Sequence, residues 1–149
     1  MTKILFVCHG NICRSAMAEC VFTRLARERG AADRFTVDSA AATREEIGNP
    51  IYPPAARKLR EKGVEILPHR ARLMTRADYD RFDLLIGMDE ENMRDMRRIA
   101  GGDPAGKLRR LMDYTDRPGE VSDPWYTRDF EAAYQDVLLG CEGLLDALI

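Results

Sequence analysis

The chain has 149 residues, of which 45% are apolar and 32% charged, a composition typical of a globular protein with a hydrophobic core. Its net charge of −2 gives no reason to expect a nucleic-acid or membrane partner. No apolar run is long enough to cross a bilayer and the N-terminus lacks a signal-peptide pattern, so we expect a single domain, residues 1–149, in the cytoplasm.

The first half of the chain alternates between strand and helix patterns. Residues 3–8 form a short run of β-branched and apolar side chains, which predicts a buried strand. The apolar residues of 15–29 recur at helical spacing, and Gly30 stands where that helix should end. Residues 35–40 predict a second strand, and Pro53 suits the first turn of a second helix.

The second half continues the alternation. Residues 84–88 predict another buried strand, after which Asp89 could cap a helix that ends at the glycine pair 101–102. Residues 107–112 predict a further strand, although it contains two arginines, and 130–148 carry the apolar spacing of a long helix that packs on the core. Strands that alternate with helices predict an α/β protein with a parallel sheet covered on both faces, whose ligands bind beyond the carboxyl ends of the strands.

The segment between the first strand and the first helix has the composition of an anion-binding loop. It consists of Cys8, His9, Gly10, Asn11, Ile12, Cys13, Arg14 and Ser15. Gly10 and Asn11 tolerate the positive φ angles of a tight loop. The N–H groups of such a loop and of the following helix start can bind a dianion such as phosphate.

A thiol and a guanidinium at the two ends of this loop indicate phosphoryl transfer. The positive field of the loop favours the thiolate of Cys8, which could attack phosphorus in line while Arg14 holds two phosphate oxygens. Ser15 could donate a hydrogen bond to the sulfur when it becomes the leaving group. In the alternative interpretation Cys8 is an ordinary strand residue and Arg14 a surface charge, but their position at a strand–helix junction favours catalysis.

This sequence resembles the low-molecular-weight protein tyrosine phosphatases, whose N-terminal signature is C-x-G-N-x-C-R-S. The match is residue for residue at Cys8, Gly10, Asn11, Cys13, Arg14 and Ser15, and the resemblance covers essentially the whole chain. It implies a four-stranded parallel, flavodoxin-like α/β fold. It also implies hydrolysis of phosphotyrosine in protein substrates through a phosphocysteine, without a cofactor or metal ion. We expect a monomer.

Expulsion of a phenolate requires a proton donor, for which Asp123 is the best candidate. Pro124 favours an extended conformation at Asp123, which suits a carboxyl presented from a loop. An Asp-Pro pair alone is common in turns, but in the family that this chain resembles the general acid lies in such a motif, followed by two aromatic residues. Asp113 and Asp116 are less favoured alternatives because neither precedes a proline.

Aromatic and branched side chains are expected to form the wall of the substrate pocket. Trp125 and Tyr126 follow the predicted acid and could stack on a substrate ring, with Ile12 beside them; the alternative is an aromatic pair packed in the core. Family members carry an aromatic residue near the position of Glu45, so Tyr52 could supply a pocket ring instead.

The resemblance implies two supporting residues and a redox partner. Ser39 and His69 match family positions whose hydroxyl and imidazole keep Asn11 and Ser15 oriented. Cys13 could capture an oxidised Cys8 as a disulfide, although it could also simply pack beneath the loop. The remaining cysteines, Cys20 and Cys141, fall on helical positions and should be core thiols. None of the four cysteines forms a CxxC pair, and the two histidines lack zinc-ligand spacing, so no metal site is expected.

Two rival functions remain open at this point, an arginine phosphatase and a module without turnover, and a third, an arsenate reductase, is set aside. A protein-arginine phosphatase would use the same fold, but such enzymes carry a threonine where Ile12 stands. A thiol-dependent arsenate reductase needs further cysteines in the middle of the chain, and none lies between Cys20 and Cys141. A phosphoprotein-binding or redox-sensing module without turnover would be expected to lack Cys8, Arg14 or Asp123.

Overall fold

The computed structural model describes all residues, 1–149, as strands that alternate with helices. The strands are β1 (Thr2–Cys8), β2 (Phe35–Ala41), β3 (Leu84–Gly87) and β4 (Leu108–Arg110). The helices are α1 (Arg14–Glu28), α2 (Pro53–Glu61), α3 (Arg76–Arg81), α4 (Glu90–Ala100), α5 (Pro124–Thr127) and α6 (Phe130–Leu148). Two 3₁₀ turns, Ala32–Arg34 and Leu111–Tyr114, precede β2 and follow β4.

The four strands form one parallel sheet in the order β2-β1-β3-β4. In the register of this sheet Cys8 pairs with Ala41, and Val7 pairs with Gly87. The carboxyl ends of β1, β2 and β3 therefore meet at one edge, and the loops that follow them are neighbours. This edge is where the sequence predicts ligand binding.

Helices cover both faces of the sheet, because β1 carries apolar side chains on both faces. Ile4 and Phe6 belong to a core shared with α1, α2 and α6, whereas Leu5 and Val7 belong to a second core shared with α3 and α4. The expectation of a four-stranded parallel sheet with helices on both faces is confirmed. None of the helices combines the length and the apolar composition that crossing a membrane requires.

Two parts of the fold differ from the sequence-based expectations. The predicted strand 107–112 is shorter, because Leu111 begins a 3₁₀ turn and packs into the core with α6. Helix α3 was not predicted, because its six residues include two arginines and two aspartates and so show no apolar stripe. Its start is fixed instead by a capping box in which Thr75 and Asp78 exchange hydrogen bonds.

Candidate active site

The anion-binding loop wraps around the sulfur of Cys8. The side chain of Cys8 is buried, its Sγ lies 3.0 Å from the hydroxyl oxygen of Ser15, and the Ser15 N–H donates to the same sulfur at 3.4 Å. The backbone N–H groups of 9–13 have no hydrogen-bond acceptor within the protein. A sulfur and a set of free amide hydrogens thus share one loop, as phosphate binding requires.

Asn11 gives the loop its curvature. Its φ is 60°, in the left-handed region, and its side chain donates to the Ser15 hydroxyl at 2.8 Å and accepts from the Arg72 N–H at 3.2 Å. The imidazole Nε2 of His69 lies 2.5 Å from the Asn11 carbonyl oxygen. His69 therefore contacts the loop, as expected, whereas the contribution of Arg72 was not foreseen.

Ser39 does not contact the loop, and the expectation that it orients Asn11 and Ser15 is wrong for this structure. Its hydroxyl donates instead to the Glu19 carboxylate at 2.6 Å. The reason is its position in β2, where Ser39 pairs with Phe6, two residues before the end of β1. Its side chain faces α1 at that level of the sheet, and Glu19 of that helix is the acceptor it meets.

Arg14 points its guanidinium into a buried ring of acceptors. Its side chain is only 3% exposed and donates to Asp89 at 2.8 Å, to the Val121 carbonyl at 3.2 Å and to Asp123 at 3.3 Å. Burial lowers the pKa of Arg14, but the charges of Cys8, Asp123 and Asp89 outweigh it and raise the pKa above its usual value. Arg14 thus stays a fixed cation beside the sulfur.

Asp123 is brought to Arg14 from the far end of the chain. It has an extended backbone (φ −94°, ψ 104°) before Pro124 and caps α5, with one carboxylate oxygen accepting from the Trp125 N–H at 3.1 Å. The other carboxylate oxygen meets Arg14, and the side chain is 26% exposed toward the cavity. The alternative Asp113 instead pairs with Arg110, and neither Asp113 nor Asp116 lines the cavity.

These groups line a cavity of about 390 Å³ at the carboxyl edge of the sheet. Ile12 and Trp125 form part of its wall, as expected, and Tyr126 is 81% exposed at its mouth. Tyr52 does not line the cavity, so its predicted place as a pocket ring is wrong. Its ring packs outside the cavity, centred 5.2 Å from the Trp125 ring and 6.1 Å from the Phe130 ring, because the start of α2 lies against α6.

His9 links two acidic side chains at the mouth of the cavity. Its Nε2 lies 2.8 Å from a Glu45 carboxylate oxygen and its Nδ1 lies 3.4 Å from Glu91 of α4. Glu46 also lines the cavity and lies close to Gly10. The place that the family gives to an aromatic residue is therefore occupied here by an acidic rim.

Asp89 was predicted from the sequence only as a helix cap. In the structure its carboxylate also forms the shortest ion pair of Arg14. One of its oxygens accepts from the Asn92 N–H at 2.8 Å and the other binds Arg14. A signal for this role existed, because Asp89 directly follows a strand predicted to be parallel to β1. Carboxyl ends of neighbouring parallel strands lie together, so its side chain belongs near Cys8.

The four cysteines are all unpaired and buried. Cys13 lines the same cavity as Cys8, and burial raises its pKa to about 12, with the charges of Cys8 and Asp123 acting in the same direction. Cys20 and Cys141 lie in the core, as expected. No group of three or more His, Cys, Asp or Glu side chains is arranged to hold a metal ion.

Comparison with known proteins places this geometry in a family. The profile of the low molecular weight phosphotyrosine protein phosphatases matches residues 3–149. The chain is 39% identical to the low molecular weight protein-tyrosine-phosphatase YfkJ of Bacillus subtilis, over 99% of this chain and 96% of YfkJ. It is 36% identical to the low molecular weight phosphotyrosine protein phosphatase of Rattus norvegicus, over 97% of this chain and 94% of the rat protein.

Solved structures show the same fold. The crystal structure of YfkJ superimposes with a TM-score of 0.95 and covers 99% of this chain and 94% of its own. The crystal structure of a drosophila arginine phosphatase, 28% identical, superimposes with a TM-score of 0.88 over 99% of this chain and 98% of its own. The same fold therefore occurs in proteins that are named for two different phosphorylated residues, tyrosine and arginine.

Proposed function

Because the chain belongs to the low molecular weight phosphotyrosine protein phosphatase family, and is therefore a cysteine-based protein-tyrosine phosphatase, we propose that Cys8, Arg14 and Asp123 carry out its reaction. The observation that carries this assignment is their convergence. Arg14 binds Asp123 across 109 residues of sequence, beside a sulfur held by Ser15. All three catalytic side chains line the same cavity.

In the first step the Cys8 thiolate attacks phosphorus and the phenolic oxygen of the substrate leaves. The free N–H groups of 9–13 and the guanidinium of Arg14 bind the equatorial oxygens, whose charge they stabilise as the bond to the leaving group breaks. Asp123, in its acid form, gives its proton to the departing oxygen. The products are free tyrosine on the protein substrate and phosphocysteine at Cys8.

In the second step water attacks phosphorus and the sulfur leaves. Asp123, now a carboxylate, takes one proton of that water, and inorganic phosphate is released. The hydrogen bonds of the Ser15 hydroxyl and N–H to Sγ stabilise the thiolate that re-forms. Asp89 holds Arg14 in place through both steps, because its second oxygen is fixed by the start of α4.

Hydrolysis of p-nitrophenyl phosphate without added metal ion tests this assignment. We expect Cys8→Ser to abolish turnover. Asp123→Ala should lower kcat/KM by about 10²–10⁴-fold for phenyl phosphate, whose basic leaving group needs the proton, and by much less for p-nitrophenyl phosphate. Asp116→Ala, which removes an exposed carboxylate outside the cavity, is the matched control and should retain activity. Undiminished hydrolysis by Cys8→Ser would contradict the mechanism.

The substrates are phosphoproteins, and we propose phosphotyrosine as the residue that is hydrolysed. Ile12 and Trp125 present apolar surface to the cavity, which suits an aryl ring better than a guanidinium. Paired phosphotyrosine and phosphoarginine peptides of one sequence test the choice, with phosphotyrosine expected to give the higher kcat/KM. A cytoplasmic location and a monomeric state remain predictions.

A further inference from the structure

Arg128 has an unusual backbone conformation at the end of the segment that carries the general acid. Only two residues other than glycine have a positive φ, Asn11 at 60° and Arg128 at 61°. Asn11 shapes the phosphate-binding loop, and Arg128 ends the short helix α5 that begins after Asp123. A left-handed arginine is disfavoured, and such residues persist where the surroundings hold them, commonly at functional sites.

The side chain of Arg128 bridges two aromatic residues. One guanidinium nitrogen donates to the Tyr52 hydroxyl at 3.3 Å, and the guanidinium carbon lies 5.5 Å from the centre of the Trp125 ring. A cation over the face of an indole is attracted to it. Arg128 thus contacts a residue of its own helix and a residue at the start of α2.

Tyr52 is itself attached to the phosphate-binding loop. Its backbone N–H donates to the Ile12 carbonyl at 2.9 Å, and its ring packs against those of Trp125 and Phe130. Arg128 therefore joins the segment 123–128 to the loop that holds the sulfur. No other side chain of this segment makes a hydrogen bond to α2.

Such a connection matters most when the substrate is bound. Without substrate, the Asp123 carboxylate is held by the Trp125 N–H at 3.1 Å and by Arg14 at 3.3 Å. A bound phosphate takes N–H groups of Arg14, so the position of Asp123 then depends on the backbone of α5. The contacts of Arg128 hold that backbone against Tyr52.

We infer that Arg128 is a positioning residue, which acts through Tyr52 and Trp125 to keep Asp123 within reach of the leaving oxygen. This inference rests on the proposed role of Asp123 as general acid. It adds a residue outside the phosphate-binding loop and outside the cavity lining to the machinery of proton transfer.

The test compares two substrates in Arg128→Gly, a variant that lacks the side chain but accepts the positive φ. Phenyl phosphate has a basic leaving group that needs the proton, whereas p-nitrophenyl phosphate needs it much less. We expect kcat/KM for phenyl phosphate to fall about three- to tenfold more than kcat/KM for p-nitrophenyl phosphate, a fraction of the full contribution of a general acid. Loss of folded protein lowers both values equally and leaves their ratio unchanged.

Three further variants make the test specific. Tyr52→Phe removes the hydrogen-bond acceptor but keeps the ring, and should change the ratio in the same direction by a smaller factor. Arg128→Lys keeps a cation over Trp125, so its ratio of the two kcat/KM values should lie between those of the wild type and Arg128→Gly. Arg57→Ala removes an exposed arginine from α2 and should leave the ratio unchanged.

A double mutant separates this inference from the proposed function. In an Asp123→Asn background, Arg128→Gly should cause no further change in the ratio, because no proton remains to be positioned. An unchanged ratio in Arg128→Gly alone, or an equal further loss in the Asp123→Asn background, would overturn the role of Arg128. If Asp123→Asn itself left the ratio unchanged, the assignment of the general acid would fail instead.

Discussion

Asn11 is the residue that ties the phosphate-binding loop to the rest of the protein. Its neighbours in the signature could be identified from the sequence, because Gly10, Asn11 and Ser15 lie within one short segment whose chemistry is local. The contact with the Arg72 N–H could not, since it depends on a bridge between Ala41 and residue 73 that brings a distant segment to the end of β2. The sequence therefore predicts which residues form the loop, but it does not predict a contact that depends on a single backbone N–H from a distant segment.

The error over Ser39 has the same origin. The alternation of β2 predicts which face its side chain occupies, but not how far along the sheet it lies from the end of β1. Register places it opposite Phe6, about 7 Å before the level of Cys8, where Glu19 is the nearer partner. The contact was decided by the packing of α1 against β2.

Cys13 is predicted to protect Cys8 during oxidation, and both cysteines line the same cavity. Peroxide converts the Cys8 thiolate to a sulfenic acid, and the Cys13 thiol can displace water from it to form a disulfide that dithiothreitol reduces. We expect brief peroxide treatment to inactivate the wild type and dithiothreitol to restore its activity. In Cys13→Ser the fraction of activity restored should be at least about threefold lower. Cys20→Ser, which removes a core thiol outside the cavity, is the control.

Equal recovery in wild type and Cys13→Ser would contradict this role. The raised pKa of Cys13, about 12, keeps it a neutral thiol at ordinary pH, so Cys8 is the residue that reacts first with peroxide. Mass spectrometry of the peroxide-treated wild type should detect a disulfide between the peptides that contain the two cysteines.

At the scale of elements, periodicity predicted the long helices and central strands well. Helix α6 begins and ends as its apolar spacing indicates, and β1 and β2 differ from the predicted strands by one residue at an end. Prediction failed for α3 and for the end of β4, where the determining features are a polar capping box and the burial of one leucine. Short elements are fixed by such individual contacts rather than by a pattern that repeats.

The packing of α6 on the turn after β4 leads to a test with two glycines of one helix. A Cβ at Gly143 would clash with the backbone carbonyl oxygen of Tyr114, whereas a Cβ at Gly140 would meet the side chain of Leu111. Alanine normally stabilises a helix relative to glycine by about 1 kcal/mol. We expect Gly143→Ala to lower the free energy of unfolding by about 3 kcal/mol, because a backbone atom must move.

Gly140→Ala is the matched comparison. The clash there falls on the buried side chain of Leu111 rather than on the backbone, and a side chain can shift further than a backbone carbonyl, so we expect a smaller loss, about 2 kcal/mol. Urea unfolding followed by circular dichroism measures both values. If Gly143→Ala proved as stable as the wild type, the close approach of α6 to the turn would be wrong.

At the scale of the whole molecule, the active site is assembled by the topology of the sheet. Arg14 meets Asp89 across 75 residues and Asp123 across 109, because the loops after β1, β3 and β4 all open on the carboxyl edge. The parallel sheet could be predicted from alternation, and with it the edge where Cys8 lies. The position of Asp123 at this edge could be expected only from the family resemblance, because no periodic pattern in the preceding sequence predicts it.

The half-buried carboxyl group of Glu19 should make the stability of the fold depend on pH. Burial of Glu19 raises its pKa from 4.5 to about 6, the neighbouring Asp38 adds to the rise, and the Ser39 hydrogen bond and Arg72 oppose it. A raised pKa means that the native state binds the proton more tightly than the unfolded state. Glu19 therefore favours the native state below pH 4.5, and this contribution is lost as the pH rises through about 6.

Glu19→Gln removes this titration while keeping an oxygen that can accept from Ser39. The difference in free energy of unfolding between Glu19→Gln and wild type should shift in favour of the variant by about 1 kcal/mol between pH 4 and pH 7, half of what the full pKa rise would give because Glu19 is not wholly buried. Glu28→Gln, on an exposed position of the same helix, controls for the change in net charge. A difference between Glu19→Gln and wild type that stays constant from pH 4 to pH 7 would mean that water reaches the Glu19 carboxylate in solution, and that the Ser39–Glu19 contact is more open than the structure has it.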